Sequence, residues 1–253
     1  MVRFEEIENF LKFYKEIYGD TLWIDFSYFI DTHSRIASEN RTDNTYKPTI
    51  SHSIDIFSVD DDWYHSTSLT ELENRINRCT KCELSKTRTK FVFGSGNPDA
   101  DIMFIGEAPG AEEDLQGLPF VGRAGQLLTK LLREVGIERK DVFICNILKC
   151  RPPNNRKPLP SEIEMCKPYL LKQIEILNPK VIVALGATAI EGLFNIKKKM
   201  SELRGSIIYL NKIPVIVTYH PAAILRNPNL QREVIEDFNL LLNKFPSIVK
   251  RIK

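Results

Sequence analysis

The pattern of hydrophobic and polar positions changes near residue 71. Beyond residue 100, continuous apolar runs of strand length alternate with longer segments that have apolar residues at helical spacing. Strands are predicted at residues 101–106, 141–148, 180–185 and 214–218, with an additional strand at Ile207–Leu210. Helices are predicted at residues 124–135, 161–177, 187–194 and 230–244, and Ser161 with Glu164 forms a predicted capping box at the start of the second.

Strands that read as continuous hydrophobes and alternate with helices indicate a parallel sheet covered on both faces. The predicted fold class is therefore α/β, a three-layer α/β/α sandwich with a central, mostly parallel four-stranded sheet. In such folds the chemistry lies at the carboxyl ends of the strands. The residues that follow each predicted strand are therefore the first candidates for a functional site.

The first 70 residues follow a different pattern. Residues 4–18 place apolar side chains at helical spacing and predict an amphipathic helix, and a second short element follows at residues 22–30. Residues 32–70 are rich in Ser, Thr, Asn and Asp and indicate a poorly ordered linker. We therefore predict a partly helical N-terminal extension at residues 1–70 and one main domain at residues 71–253.

The charges divide at the same place. Residues 1–70 contain 6 Lys and Arg against 13 Asp and Glu, whereas residues 71–253 contain 29 against 20. The formal net charge of +2 thus combines an acidic extension with a basic domain. A nucleic-acid-binding protein requires such a basic domain, although an excess of lysine is also common on any solvated surface.

The chain shows neither a membrane span nor a signal peptide to sequence inspection. No apolar stretch approaches the length of a bilayer span, and charged residues interrupt the first ten positions. The predicted location is therefore the cytosol. There, the five thiols of this chain are expected to be reduced or metal-bound rather than paired in disulfides.

Four of the five cysteines follow the pattern C-x2-C … C-x15-C, and they are Cys79, Cys82, Cys150 and Cys166. They lie beside basic or loop-forming residues, whereas Cys145 lies inside an apolar run and is predicted to be a core residue. Four thiolates can complete the coordination of an iron–sulfur cluster or of a zinc ion. The other interpretation is four unrelated thiols, and the spacing does not choose between cluster and zinc.

Polar residues lie at the ends of three predicted strands. Glu107 follows the first strand, Asn146 lies within the second, and His220 follows the last. Each alone has an ordinary explanation, such as a surface acid, a structural amide hydrogen bond or a surface histidine. Together at one sheet edge they suit a cleavage with an anionic leaving group, because an imidazole can hydrogen-bond the developing charge. Phe120, in the turn after the first strand, is either core or a stacking surface for a base.

Four long motifs carry a resemblance to a known family, and they are GEAPGAEED at 106–114, GLPFVGRAGQLL at 117–128, CNILKCRPPNNRKP at 145–158 and HPAAILRNP at 220–228. With the cysteine pattern, they make residues 72–244 resemble the family 4 uracil-DNA glycosylases, the iron–sulfur branch found in archaea and thermophilic bacteria. The resemblance does not extend to residues 1–70. It implies the uracil-DNA glycosylase fold and a [4Fe–4S] cluster held by Cys79, Cys82, Cys150 and Cys166.

The resemblance also implies a uracil base flipped out of DNA into a pocket at the strand ends. Phe120 would stack on the uracil ring, Asn146 would pair with its polar edge, and the backbone at Ala108 would line the pocket. His220 would bind the uracil oxygen that gains charge as the glycosidic bond breaks. Glu107 would position the attacking water or stabilise the sugar cation.

Further residues take roles by the same resemblance. Glu113 would lie near C5 of uracil and exclude the thymine methyl group, and Asn155 would be another catalytic contributor. The hypothesis for DNA contacts comprises two wedge residues in the gap left by the flipped base and three phosphate contacts. These are Ile224 and Leu225 as wedges, with Arg151, Arg156 and Arg226 at phosphates.

The implied function is a monofunctional repair glycosylase that releases uracil from double- or single-stranded DNA and leaves an abasic site. The predicted protein is a cytoplasmic, nucleoid-associated monomer, and residues 1–70 could dock a replication or repair partner. One alternative is a non-catalytic DNA-binding protein that kept the fold and the cluster. Another, an electron carrier built around the cluster, leaves the base-pocket motifs and the basic charge unexplained.

Overall fold

The computed structural model describes residues 62–248, and the elements predicted at 4–18 and 22–30 lie outside them. The compact unit that contains the sheet begins at Asp62. Trp63 packs edge-on against Tyr169 with ring centroids 4.9 Å apart, and Ser66 is buried. The linker predicted through residue 70 is therefore wrong for residues 62–70, which belong to the folded unit.

One sheet contains six strands, which are β1 Ser95–Gly96, β2 Ile102–Gly106, β3 Phe143–Asn146, β4 Val181–Leu185, β5 Ile207–Leu210 and β6 Ile213–Thr218. The α-helices of the described residues are α1 Leu69–Ile76, α2 Ala111–Gln116, α3 Arg123–Glu134, α4 Pro160–Leu177, α5 Ala187–Phe194, α6 Met200–Leu203, α7 Pro221–Arg226 and α8 Leu230–Lys244. Four short 3-10 turns occur in the same part of the chain, at Asp62–His65, Glu83–Lys86, Arg139–Asp141 and Pro153–Asn155.

The strand order is β1-β3-β2-β4-β6-β5. The four middle strands run parallel and are the four that the hydrophobic pattern predicts. The predicted additional strand β5 pairs antiparallel with β6, and β1 pairs antiparallel with β3 at the opposite edge. Besides the predicted central four strands and the predicted additional strand, the sheet thus contains β1, which has only two residues and leaves no hydrophobic pattern to detect.

Helices cover both faces of the sheet. On one face, Phe104 of β2 joins a buried cluster with α3 and α8, and its ring meets Phe238 edge to face at 5.8 Å. On the other face, α5 lies against the sheet so closely that a side chain at Gly192 would reach 2.9 Å from Ile147. Alternate residues of a strand point to opposite faces, so the fully buried β2 supports both layers. The predicted three-layer α/β/α architecture is confirmed.

The start of α4 differs from the prediction. The helix begins at Pro160, and the predicted capping box of Ser161 and Glu164 is wrong. The carboxylate of Glu162 instead accepts a hydrogen bond from the Leu159 N–H at 2.8 Å. Proline suits this first turn because its missing N–H would have no helical partner there. Among the described residues, none of the helices has the length and apolar character that crossing a bilayer requires.

A buried ion pair fixes the end of β6. Asp237 of α8 is 1% exposed and accepts hydrogen bonds from the Thr218 hydroxyl and from Arg204, both at 2.7 Å. Thr218 is the last residue of β6, and the chain reaches His220 two residues later. The network therefore holds the strand end from which the predicted histidine extends.

We expect Asp237→Ala to lower the free energy of unfolding by about 2–3 kcal/mol, because the Thr218 hydroxyl and Arg204 lose a buried acceptor. Glu236→Ala is the matched control, since Glu236 also faces Arg204 at 3.5 Å but is 49% exposed. Exposed pairs contribute below about 1 kcal/mol. Equilibrium urea unfolding measures both values, and equal losses would show that burial of the pair is unimportant.

Candidate active site

The carboxyl ends of the parallel strands meet at one edge of the sheet. Gly106 pairs with Asn146 in the register of β2 and β3. The backbone pairing continues past the strands, since the Leu148 N–H donates to the Glu107 carbonyl at 3.1 Å. His220 follows β6 and lies beside the end of β4. A Cβ added at Gly186, directly after β4, would be 3.1 Å from the Cβ of His220. The predicted convergence of Glu107, Asn146 and His220 on this edge is confirmed.

Gly106 lets the side chains of Asn146 and Phe120 approach each other. A Cβ at this position would lie 2.5 Å from Asn146 Oδ1 and 2.5 Å from Cζ of Phe120. Real side chains do not tolerate such distances, so the amide and the aromatic ring meet over bare backbone. The glycine is therefore a requirement of the site.

The Asn146 side chain is 2% exposed, and its Oδ1 has no hydrogen-bond partner among the described residues. Buried polar atoms are nearly always paired, so an unpaired buried oxygen requires an explanation. A structural hydrogen bond to this oxygen would be the ordinary reason for a buried asparagine, and it is absent here within residues 62–248. The geometry instead leaves an acceptor ready for an N–H group of a bound molecule.

His220 presents a neutral imidazole with a defined tautomer. Its Nδ1 accepts a hydrogen bond from the Ala222 N–H at 3.1 Å and thereby caps α7. Burial lowers the pKa of the imidazole to about 4, and the charge of Arg226 acts in the same direction. At neutral pH the ring therefore carries its single proton on Nε2. The side chain thus offers one neutral N–H donor.

Phe120 is 5% exposed, and its ring centroid lies 5.5 Å from that of His220 at an interplanar angle of 32°. The residue has φ +52°, a left-handed conformation that costs a non-glycine residue about 1–2 kcal/mol. A Cβ at Gly125 would lie 1.9 Å from the Phe120 carbonyl oxygen, so α3 packs directly on this peptide. The predicted core position is confirmed, because the ring joins the core cluster. The ring also borders Asn146 and His220, and its stacking on a base stays a prediction.

Glu113 clamps the Phe120 loop. Its Oε1 accepts hydrogen bonds from the N–H groups of Val121 and Gly122, each at 2.9 Å, and its Oε2 accepts one from Gly110 at 3.1 Å. These three bonds give both oxygens of the carboxylate hydrogen-bond partners within the protein. The predicted contact of Glu113 with C5 of a base stays a prediction.

Arg139 holds the same loop from the other side, and it lies outside all four sequence motifs. Its guanidinium donates to the carbonyls of Pro119 at 2.5 Å and Phe120 at 3.0 Å. Burial lowers the pKa of this guanidinium, and the charge of Glu113 opposes that shift. No pattern marks an isolated arginine in a 3-10 turn, so only the tertiary structure identifies it.

The remaining predicted residues occupy different surroundings. Ala108 is half-buried in the turn after β2, next to Glu107. Asn155 is exposed at φ +54°, and its amide oxygen accepts a hydrogen bond from Arg151 Nε at 2.7 Å. These two residues of the loop therefore order each other. Their predicted catalytic and phosphate-binding roles stay predictions.

Two predicted DNA contacts need correction. Ile224 is 3% exposed and packs in the core cluster, whereas Leu225 is 40% exposed. Only Leu225 of this pair can enter DNA without unpacking the core. Arg156 donates two hydrogen bonds to the buried Glu162, at 2.6 and 2.9 Å, and these bonds lower the pKa of that carboxyl group. Its charge is thus already paired, while Arg226 is exposed.

The four patterned cysteines line one cavity, which Arg88 and Tyr169 also line. Cys79 Sγ accepts hydrogen bonds from the Lys81 N–H at 3.4 Å and the Tyr169 hydroxyl at 3.3 Å. Arg88 donates to Cys150 Sγ at 3.3 Å. Cys145 is 1% exposed in β3 and is not part of this lining, as predicted for a core residue.

Two influences act on the sulfur atoms of this lining in opposite directions, because burial favours neutral thiols and hydrogen-bond donors favour thiolates. Burial raises the pKa of Cys166 to about 12 and also raises the pKa values of Cys82 and Cys150. Metal binding displaces the thiol protons, and the donors from Arg88 and Tyr169 would then face thiolates. In residues 62–248 no group of three or more His, Cys, Asp or Glu is arranged to hold one metal ion. This arrangement concerns a single ion, whereas the four cysteine sulfurs of a [4Fe–4S] cluster each bind a different iron atom and need not converge on one point.

A buried lysine joins this cavity wall to the candidate site. Lys149 is fully buried, and its Nζ donates to the Asn146 carbonyl at 2.8 Å and to Gln173 at 2.5 Å. Gln173 lies on α4, the helix that also carries Cys166. The end of β3 is thereby tied to the cysteine-bearing helix.

Comparisons with known proteins agree with this arrangement. The model of the uracil DNA glycosylase superfamily matches residues 93–242. A type-4 uracil-DNA glycosylase from Thermotoga maritima is 51% identical over 193 residues, which cover 74% of this chain and 98% of that protein. Those of Archaeoglobus fulgidus and Saccharolobus solfataricus are each 48% identical, with 68% of this chain covered and 90% and 83% of the relatives. The chain belongs to the uracil DNA glycosylase superfamily, in its type-4 branch.

The electronic state of His220 can be tested by ¹⁵N NMR of the imidazole. Because its pKa is lowered from 6.5 to about 4, the folded protein binds this proton more weakly than the unfolded chain does. His220 therefore makes the free energy of unfolding decrease as pH falls from 6.5 through about 4. We expect a protonated Nε2 and a bare Nδ1 at pH 7. His220→Asn assigns the signal, and titration near pH 6.5 would contradict the assignment.

Proposed function

We propose that this protein is a DNA repair glycosylase that flips uracil out of DNA, hydrolyses its N-glycosidic bond and leaves an abasic site. The observation that carries the proposal is the buried, unpaired Oδ1 of Asn146 beside the Phe120 ring and a neutral His220. Uracil has a flat ring, an N3–H donor and carbonyl acceptors, which match these three side chains. The names of the type-4 relatives support the same reaction.

Asn146 would recognise the polar edge of the base. Its Oδ1 accepts a hydrogen bond from N3–H of uracil, and its amide group donates to O4. Cytosine has an acceptor at N3 and a donor at C4, so the same amide orientation rejects it. Phe120 stacks on the ring, and Glu113 determines through the loop how much room remains for a C5 methyl group. The backbone at Ala108 completes the lining.

His220 would stabilise the leaving group. When the glycosidic bond breaks, its electron pair stays on uracil N1 and the negative charge spreads to O2. The neutral Nε2–H of His220 donates a hydrogen bond to that oxygen, and such preorganised donors are worth most where charge develops. No proton needs to be transferred to the base, which agrees with the low pKa of this histidine.

Glu107 would serve the sugar side of the reaction. The loss of uracil leaves an oxocarbenium-like sugar, and a carboxylate stabilises this cation or orients the water that adds to it. The side chain is half-buried and follows Gly106 directly. Within residues 62–248, no hydrogen bond or ion pair already occupies its carboxylate. The proton of the attacking water passes to solvent or to the departing uracil anion.

We further propose that Cys79, Cys82, Cys150 and Cys166 hold a [4Fe–4S] cluster. The shared cavity and the donors of Arg88, Tyr169 and Lys81 to sulfur atoms support it. The bound cluster supplies a covalent link among three distant segments. The chain's own residues perform the reaction, and the link positions the loop that follows Cys150.

The DNA contact set is revised to Leu225, Arg226 and Arg151. Leu225 and Arg226 are exposed at the end of α7, directly after the site histidine. Arginine side chains of this kind bind phosphates and position the duplex. A monomeric, cytoplasmic and nucleoid-associated protein, with residues 1–70 docking a replication or repair partner, remains part of the proposal.

The full-length protein is expected to release uracil from a U-containing oligonucleotide and nothing from the matching T-containing one. His220→Ala should lower uracil release about 10²–10³-fold, because one oxyanion donor is lost, with DNA binding unchanged. His65→Ala is the control, since His65 lies in an exposed turn outside the site. Equal loss of binding and release would contradict the role of His220. A wild-type protein that binds but does not release uracil would support the non-catalytic alternative.

Metal analysis tests the cysteine assignment. The purified protein should contain about four iron and four sulfide per chain. Cys150→Ser should lower the iron content and the visible absorption, because the cavity loses one ligand. Cys145→Ser should keep both, since Cys145 lies in the core of the sheet. Zinc in place of iron, or equal effects of the two variants, would refute the cluster.

A further inference from the structure

Arg139 contacts the aromatic loop of the site without reaching the site edge itself. It lies in the 3-10 turn Arg139–Asp141, between α3 and β3. Its guanidinium donates to the carbonyls of Pro119 and Phe120, and a weaker bond of 3.4 Å reaches the Thr129 hydroxyl. The side chain is half-buried. These hydrogen bonds thus go to the Phe120 loop and to the helix that follows it.

Arg139 and Glu113 hold the two ends of one peptide group. The carbonyl of Phe120 accepts from Arg139 at 3.0 Å, and the N–H of the next residue, Val121, donates to Glu113 at 2.9 Å. The cation and the anion therefore align with the peptide dipole from opposite sides. Charge-assisted bonds of this kind are about twice as strong as neutral ones. Rotation of this peptide plane would break both bonds.

The orientation of the two peptides that flank Phe120 determines where its ring lies, and Arg139 binds the carbonyl of each. Phe120 has φ +52°, which is unfavourable for a residue with a side chain and persists only where its surroundings enforce it. The ring fits between Gly106 and His220 in this conformation. With the negative φ that is usual for a phenylalanine, the Cα–Cβ bond would point in another direction, and the ring would no longer lie beside Asn146.

We propose that Arg139 is a positioning residue for base binding, which acts through Phe120 by holding the Phe120–Val121 peptide. The proposal rests on the proposed function, because the ring it positions is the one that stacks on uracil. Arg139 itself touches neither the base nor the sugar. Its removal therefore weakens uracil binding and leaves the chemistry of bond cleavage to the other residues.

The decisive experiment is a double-mutant cycle of Arg139→Met and Phe120→Leu in the full-length protein. Arg139→Met should lower kcat/KM roughly 100-fold, the order expected for a displacement of about 1 Å. Inhibition by free uracil should weaken in parallel. Arg139→Lys should retain an intermediate activity, because an ammonium group can bind one carbonyl but lacks the forked geometry for two. In the Phe120→Leu background, Arg139→Met should have almost no further effect.

Arg133→Met is the matched control. Arg133 lies on α3 with a 65% exposed side chain and pairs only weakly with Glu138 at 3.6 Å. It should leave kcat/KM and uracil inhibition unchanged. Amide hydrogen exchange at Val121 provides a readout that does not need activity, and it should accelerate in Arg139→Met but not in Arg133→Met.

Three results would overturn the proposal. Additive effects of the two substitutions would show that Arg139 does not act through Phe120. A smaller active fraction with unchanged uracil inhibition would show a purely structural role. Unchanged hydrogen exchange at Val121 would show that Arg139 does not hold the Phe120–Val121 peptide. If Arg139→Met does not fold, Arg139→Lys takes its place in the same cycle. An inactive wild-type protein would overturn the proposed function instead, and the exchange result would still decide whether the clamp exists.

Discussion

The approach of Phe120 and Asn146 over the bare backbone of Gly106 is the contact on which the site depends. It requires a residue without a side chain at the end of β2, in register with the amide of β3. It also requires a phenylalanine in a left-handed conformation, with α3 packed against its carbonyl at Gly125. The parallel sheet supplies the first condition, and the loop between the first two parallel strands supplies the second. Any shift in either would separate the ring from the amide.

Three charged side chains near the candidate site are bonded to surrounding parts of the protein. Glu113 and Arg139 form hydrogen bonds with backbone groups of one loop. Asp237 forms hydrogen bonds with Arg204 and with Thr218 at the end of β6. His220 is neutral because burial disfavours its protonated form. The candidate site thereby combines hydrogen-bonding groups with an aromatic face, which suits the neutral base of the proposed function. Fixed dipoles of this kind need little rearrangement when charge develops on the base.

Hydrogen bonds of Lys149 connect the end of β3 with the helix that carries Cys166. Lys149 lies between the carbonyl of Asn146 and Gln173 of α4, and the next residue is Cys150, which lines the cavity. Cys166 lies on the same helix. A buried lysine is costly unless its donors are satisfied, so these partners fix each other. The end of β3 is therefore held both by the sheet and by the segment that the four cysteines would link.

The sequence by itself determined the parallel core, because continuous apolar runs separated by amphipathic segments have few other solutions. It also placed Glu107, Asn146 and His220 at one edge of the sheet and marked the four cysteines as a group that lines one cavity, because strand order and spacing carry that information. Only the tertiary structure decided which neighbours act through space. It buried Ile224, paired Arg156 with Glu162, and placed Arg139 and Glu113 at the two ends of one peptide. Burial, pairing and backbone strain depend on residues far apart in the chain, and no local pattern encodes them.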